Sequence, residues 1–318
     1  MHIPDGFLNP ATCAGTALLA GAGLAVASRK VTSGWNDRTV PLLGVMSAFV
    51  FAGQMVNFPV AGGTSGHLLG GVLAAVLLGP HAAAMILTVV VAVQCLFFQD
   101  GGVTALGANV LNMALLGVYG GYAAFVLAGK VAPGSRGRWI GIAFGSWCSV
   151  MLAATACSLE LAASGTAPLH LVLPAMLITH AVIGLGEASI TLGVVSFVAR
   201  VRPDLIYRAP SQATPLPAKT LVLAGLAISL GVAVLLAPLA SPLPDGLEKV
   251  AGTLDFAQRG QAGMPSPLAD YHLPGIGSPV LSTILAAVVG TLFCLLAGWG
   301  AARLVSRWSR RPAPGSEA

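Results

Sequence analysis

Residues 82–98 read AAAMILTVVVAVQCLFF, and the charge-free run around them extends from Thr39 to Gln99. A helix needs about 20 predominantly apolar residues to cross the hydrocarbon core of a bilayer. Further charge-free runs cover 6–28, 101–129, 139–159, 161–186, 220–244 and 271–302. Over the 318 residues, 56% are hydrophobic and 8% charged, against roughly 25% charged in soluble domains. So few charges cannot cover the surface of a soluble body this large. The apolar content equally excludes a disordered chain. Strands of an outer-membrane barrel would appear as alternating segments of about 10 residues, and none occurs. The sequence therefore predicts an all-α, polytopic helical protein of the cell (plasma or inner) membrane. Backbone polar groups in lipid must be satisfied within each segment, which is why the runs are expected to be helices.

The few charges predict the topology. Basic residues cluster at Arg29/Lys30/Arg38, Lys130/Arg136/Arg138, Arg200/Arg202/Arg208/Lys219 and Arg303/Arg307/Arg310/Arg311, and together account for 14 of the 16. Positive flanks mark the cytoplasmic side. Putting all four clusters there requires about nine crossings, with the N-terminus outside and the C-terminus cytoplasmic. The expected helices lie near 7–28, 41–58, 65–79, 82–98, 108–129, 139–162, 170–199, 220–240 and 279–302. The segment 65–79 is short, with a re-entrant half-helix as its rival. The N-terminus lacks a basic region before its apolar run and does not read as a cleavable signal peptide. A basic, proline-containing linker at 200–219 separates a first module (1–215, about seven helices) from a second (216–318). The latter reads as two helices around an outer loop of about 38 residues. Nothing suggests nucleic-acid binding. Gly and Ala at four-residue spacing, as in Gly117/Gly121 and Gly141/Gly145, predict close helix packing.

The chain contains no Gly-x-x-x-x-Gly-Lys-Ser/Thr, no His-Glu-x-x-His and no Gly-x-Ser-x-Gly, so no motif proposes ATP hydrolysis, zinc proteolysis or a serine nucleophile. The distinctive chemistry is at the first two residues. A metal bound by the Met1 amine and the His2 amide nitrogen closes a five-membered ring, and adding the His2 imidazole closes a six-membered one. Three nitrogens then lie in a plane, a set that suits Ni(II) or Cu(II) better than tetrahedral Zn(II). Topology puts His67, within the glycine-rich stretch 57–71, on the same outer side, as a candidate fourth donor. Asn57, Ser65, Gln99, Asp100 and Asn109 are candidates for a supporting layer or gate around those ligands. His180 and Glu187, two turns apart on one helix, could form a structural pair or a polar relay. His81 and His170 read as interfacial.

Met1-His2-Ile3-Pro4-Asp5-Gly6-Phe7-Leu8, the Pro59–Gly71 segment, Gln99-Asp100-Gly101-Gly102 and Gly107-Ala108-Asn109 closely resemble the nickel/cobalt substrate-binding component of energy-coupling-factor ABC transporters, the CbiM/NikM family. That resemblance covers residues 1–205. Pro244-Asp245-Gly246-Leu247-Glu248 and Pro267-Leu268-Ala269-Asp270-Tyr271 resemble the two-helix N component of PDGLE type, here fused to it. The resemblance implies metal ligation by Met1, His2 and His67. It also implies a transmembrane coupling subunit and two cytoplasmic ATPase subunits as partners. Ni(2+) or Co(2+) would be transported substrate, nickel favoured by the planar nitrogen set, with no tightly held cofactor and no enzymatic activity. The alternative is a self-contained ion-coupled metal transporter, with His180 and Glu187 relaying protons.

Overall fold

The computed structural model describes residues 1–31, 39–208, 216–261 and 263–309. Arg38, Arg310, Arg311 and the module boundary expected near residue 215 lie outside them. The helices are α1 (Pro10–Val31), α2 (Thr39–Gln54), α3 (Gly71–Leu78), α4 (Pro80–Phe98), α5 (Leu106–Val131), α6 (Ser135–Ala163), α7 (Leu169–Val201), α8 (Ala218–Leu235), α9 (Gly246–Thr253) and α10 (Pro279–Ser309). Strands β1 (Phe58–Val60) and β2 (Thr64–Gly66) form an antiparallel hairpin that pairs Phe58 with Gly66. Seven helices among the described residues are long and apolar enough to span a membrane, namely α1, α4, α5, α6, α7, α8 with its following turn, and α10. The chain is a multi-pass membrane protein. Large apolar side chains such as Leu18, Ile178, Leu185 and Phe197 lie exposed on these helices, as expected where the surrounding solvent is lipid.

Where a helix is expected at 65–79, the structure differs. β2 runs into non-helical backbone at 67–70, and α3 has only 8 residues. At 1.5 Å per residue α3 is about 12 Å long, well under half of the hydrocarbon core. Non-helical backbone is tolerated at this depth because protein satisfies it. Glu187 of α7 accepts from Leu69 N (2.6 Å) and Gly70 N (2.9 Å), and Gln54 Nε2 donates to Leu69 O (2.9 Å). Gly70 adopts φ 79°, a left-handed conformation that a side chain would strain.

Local signals set several helix ends. The Asn9 side chain accepts from Thr12 N (2.8 Å), capping α1, with Pro10 at its first position. Residues 110–120 of α5 wind as a π-helix. The glycine stripes pack as their spacing predicts. A Cβ on Gly121 would lie 2.8 Å from Gly145 O, and one on Gly145 would lie 2.6 Å from Gly121 O, so α5 and α6 touch backbone to backbone. The second module packs on α2 by the same means, with Gly298 over Ser47 and Gly290 over Phe51.

All of this gathers the N-terminal segment, residues 99–105, the α6–α7 turn and the α8–α10 loop at one end of the bundle. Gly102 N donates to Ile3 O (2.8 Å), Gln261 N to Asp5 O (2.9 Å) and the Thr166 hydroxyl to Phe7 O. His81, in the first turn of α4, meets the Tyr119 hydroxyl through Nδ1 (2.8 Å).

Candidate metal centre

The first residues are threaded into the bundle and pinned along their length. Asn109, in the first turn of α5, accepts from Ile3 N (2.8 Å) and donates to Ile3 O (3.0 Å), pairing with it as a neighbouring strand would. Asp5 accepts from Val103 N (3.1 Å) and Thr104 N (2.8 Å). Gly101 and Gly102 are required by this close approach. A Cβ on Gly102 would lie 2.3 Å from Asp5 N, and one on Gly101 2.9 Å from the Asn109 amide. The result is a buried amino terminus, with Met1 7% and His2 8% exposed.

There the Met1 amine lies 3.3 Å from His67 Nε2. The rings of His2 and His67 stack 18° from parallel with centroids 5.4 Å apart. His67 Nδ1 lies 3.0 Å from Leu68 O, an interaction that assigns the proton to Nδ1 and leaves the Nε2 lone pair facing the amine. His2 Nδ1 lies 3.0 Å from Asp100 Oδ1, whose other oxygen accepts from the Tyr271 hydroxyl (2.5 Å). His2 Nε2 is buried without a partner, and no hydrogen bond from the His2 amide is found among the described residues. A cavity of about 20 Å³, room for one water-sized occupant, lies against Met1, His67 and Asp245. A larger one of about 660 Å³ borders His2, His67, Asn57, Gln99, Asp100, Asp245 and Tyr271.

Asp245 and Tyr271 are not among the sequence-derived site residues. Asp245 makes an ion pair with the Met1 amine and caps α9, accepting from Glu248 N (2.8 Å) while Glu248 accepts from Asp245 N (2.9 Å). The Asp-x-x-Glu spacing is legible as a capping box, but nothing in it indicates a partner 244 positions away. Burial disfavours the charged forms of both members of the pair. Their mutual attraction prevails, raising the amine pKa and lowering the Asp245 carboxyl to about 2. Burial likewise opposes ionisation of Asp100, yet His2 and the Tyr271 hydroxyl hold its carboxyl well below the usual range.

Of the expected supporting residues, Asp100 contacts His2 and Asn109 contacts Ile3. Ser65 and Asn57 instead bind the second module, Ser65 through Oγ to Leu243 O (2.7 Å) and Asn57 through its carbonyl to Ser241 N (2.8 Å). Gln99 ends α4 in a left-handed conformation and borders the larger cavity. His180 and Glu187 are not brought together. His180 Nδ1 meets Met176 O (2.8 Å), and Glu187 holds the 69–70 backbone. No group of three or more His, Cys, Asp or Glu side chains is arranged to hold a metal among the described residues.

Residues 2–205 match the family described as the cobalt uptake substrate-specific transmembrane region, CbiM, and residues 219–307 match the PDGLE domain. The chain belongs to the CbiM family. The fused nickel transport protein NikMN of Rhodobacter capsulatus is 33% identical over 98% of this chain and 99% of its own length. A relative from Archaeoglobus fulgidus is 37% identical over 95% of this chain and 98% of its own. The cobalt transport protein CbiM of Sorangium cellulosum, 33% identical, covers 65% of this chain and 95% of itself. A crystal structure of a truncated transition metal transporter superposes with a TM-score of 0.57 at 36% identity, over 63% of this chain and 99% of its own. This protein is thus the membrane component of a metal transporter rather than an enzyme.

Proposed function

We propose that this chain is the substrate-binding component of an energy-coupling-factor importer for nickel, with cobalt as the lesser substrate. The ion is held by the Met1 amine, the His2 amide and imidazole, and His67. The supporting observation is the approach of His67 Nε2 to the Met1 amine across 66 positions of sequence. Donors on adjacent corners of a square, each about 2 Å from the metal, stand about 2.9 Å apart. The 3.3 Å separation therefore needs only a small closure. The six-membered chelate ring uses His2 Nδ1, so the imidazole leaves its contact with Asp100 by turning about its Cβ–Cγ bond. The turn brings Nε2 into the former place of Cε1, beside Asp100, which then orients the ligand from behind. Four nitrogens in one plane favour Ni(II) over Co(II). The N-terminus faces outward and the basic end faces the cytoplasm, where a coupling subunit and two ATPase subunits supply the energy. The chain has no P-loop of its own.

The test is radioactive nickel and cobalt uptake by cells expressing the chain with and without its ATPase partners. His2→Ala, His67→Ala and one Gly inserted between Met1 and His2 should each abolish uptake. The insertion displaces the amine by about 3.5 Å from His67. Unchanged uptake after the insertion would overturn the chelate, and full uptake without ATPases would overturn the energy coupling.

A further inference from the structure

The two long helices of the second module leave a groove where they meet α2. A Cβ on Gly225 of α8 would lie 2.2 Å from the Val45 side chain, and one on Gly44 would lie 2.7 Å from Leu295 O of α10. Residues 44 and 45 point about 100° apart around α2, so the two helices are drawn to different sides of it. One turn earlier, at Pro41, a space of about 410 Å³ opens between them. Val222 and Leu223 line it from α8, and Leu295, Leu296 and Trp299 from α10. Leu223 and Leu296 are 57% and 61% exposed, so the groove opens outward to the membrane and not into the bundle.

The apolar walls end at a basic rim. Lys219 borders the groove one turn before Val222 and Leu223. Arg303, one turn beyond Trp299, lays its guanidinium 4.5 Å over that ring. α8 starts at this end of the bundle and α10 returns to it, which brings both cations to the same end of the groove. α2, α8 and α10 contain no Asp or Glu, so none of the helices that form the groove supplies a counter-charge. An occupant that matches both parts carries a negative head and an apolar tail. A Trp beside basic side chains at a helix end is also the arrangement that meets phospholipid headgroups.

We propose that this groove is a binding site for one anionic phospholipid of the surrounding bilayer: an acyl chain lies between α8 and α10, and the phosphate sits at the rim with Lys219 and Arg303. The site is at the far end of the bundle from the metal centre, which the same two helices approach through the loop at their other ends. It joins a helix of the first module to both long helices of the second, so the bound lipid fastens the modules together. On the orientation proposed above the lipid comes from the cytoplasmic leaflet. The site does not depend on the chelate.

Native mass spectrometry of the detergent-purified full chain, titrated with dioleoyl phosphatidylglycerol or dioleoyl phosphatidylcholine, tests this. One phosphatidylglycerol should bind at least about tenfold more tightly than phosphatidylcholine. Lys219→Gln combined with Arg303→Gln should weaken phosphatidylglycerol about 25-fold, about fivefold for each basic side chain at an anionic headgroup, and leave phosphatidylcholine unchanged. Lys219→Arg combined with Arg303→Lys keeps both charges and should retain phosphatidylglycerol within about threefold. Leu296→Trp fills the groove and should weaken both lipids. Equal binding of the two lipids overturns the proposal, as does a phosphatidylglycerol affinity within about threefold of the unaltered chain in the double Gln variant. So does a photo-crosslinker at position 296 that, in native membranes, captures a protein in place of lipid.

Discussion

Replacing His67 with Ala removes one of four nitrogen donors and should leave the remainder of the site in place. The ring is carried on backbone fixed independently of it, by Glu187 on Leu69 and Gly70 and by Leu243 and Pro244 on the hairpin. Loss of the imidazole therefore reports on the metal bond and not on collapse of the arm. Four-ligand metal sites in small proteins bind with about 10–16 kcal/mol, so one ligand contributes about 3 kcal/mol. That corresponds to a Kd raised by about 10²–10³-fold for Ni(II). Isothermal titration of the purified chain with NiCl2 measures it, with thermal unfolding of the metal-free variant as the folding control. A Kd within about fivefold of the unaltered chain, with Tm unchanged, would refute the assignment of His67 as a ligand.

Asn109→Ala deletes both hydrogen bonds to Ile3 and leaves a buried backbone pair unmet, so metal-free stability should fall by about 1–3 kcal/mol and nickel affinity with it, measurable by thermal unfolding and titration. Gly102→Ala sets a Cβ 2.3 Å from the Asp5 backbone nitrogen and should lower Tm and abolish uptake by expelling the N-terminal segment, which proteolysis of the first residues would detect. Nickel competes with the proton on the Met1 amine, whose pKa is raised, so apparent affinity should climb as pH rises through and above neutrality; titrations across pH check the sign. In the metal-free chain the Asp245 pair has two limits. The lowered carboxyl supplies stability above its ordinary 3.8 that is lost as pH falls toward about 2. The raised amine supplies stability below its ordinary 8.0 that is lost as pH rises through its folded value. Thermal unfolding against pH should therefore decline on both sides of that window.

The membrane class and most helices are legible because a span requires an uninterrupted apolar run, and run length is read without knowing any neighbour. The segment at 65–79 is the exception. A charge-free stretch describes any backbone shielded from water, and whether it is helical depends on whether protein or its own turns satisfy the amides. Glu187, 117 and 118 positions from Gly70 and Leu69, supplies that satisfaction, so the sequence around His67 carries only its glycines as a hint. His180 and Glu187 show the same limit from the other side. Their seven-residue spacing puts them on one face of α7, but each finds a backbone partner first.

By itself the sequence determined the solvent, the long helices, the segregation of basic residues and the chelating potential of Met1-His2, all consequences of local composition or adjacent atoms. Tertiary structure alone decided that His67 lies beside the amine, that Asn109 and Asp5 hold the segment bearing it, and that Asp245 of the second module is the amine's partner. Those pairings span 66 to 244 positions, and no local pattern encodes them. A buried charge must find its counter-charge wherever the packed helices bring one, and that position is set by the packing of the whole bundle.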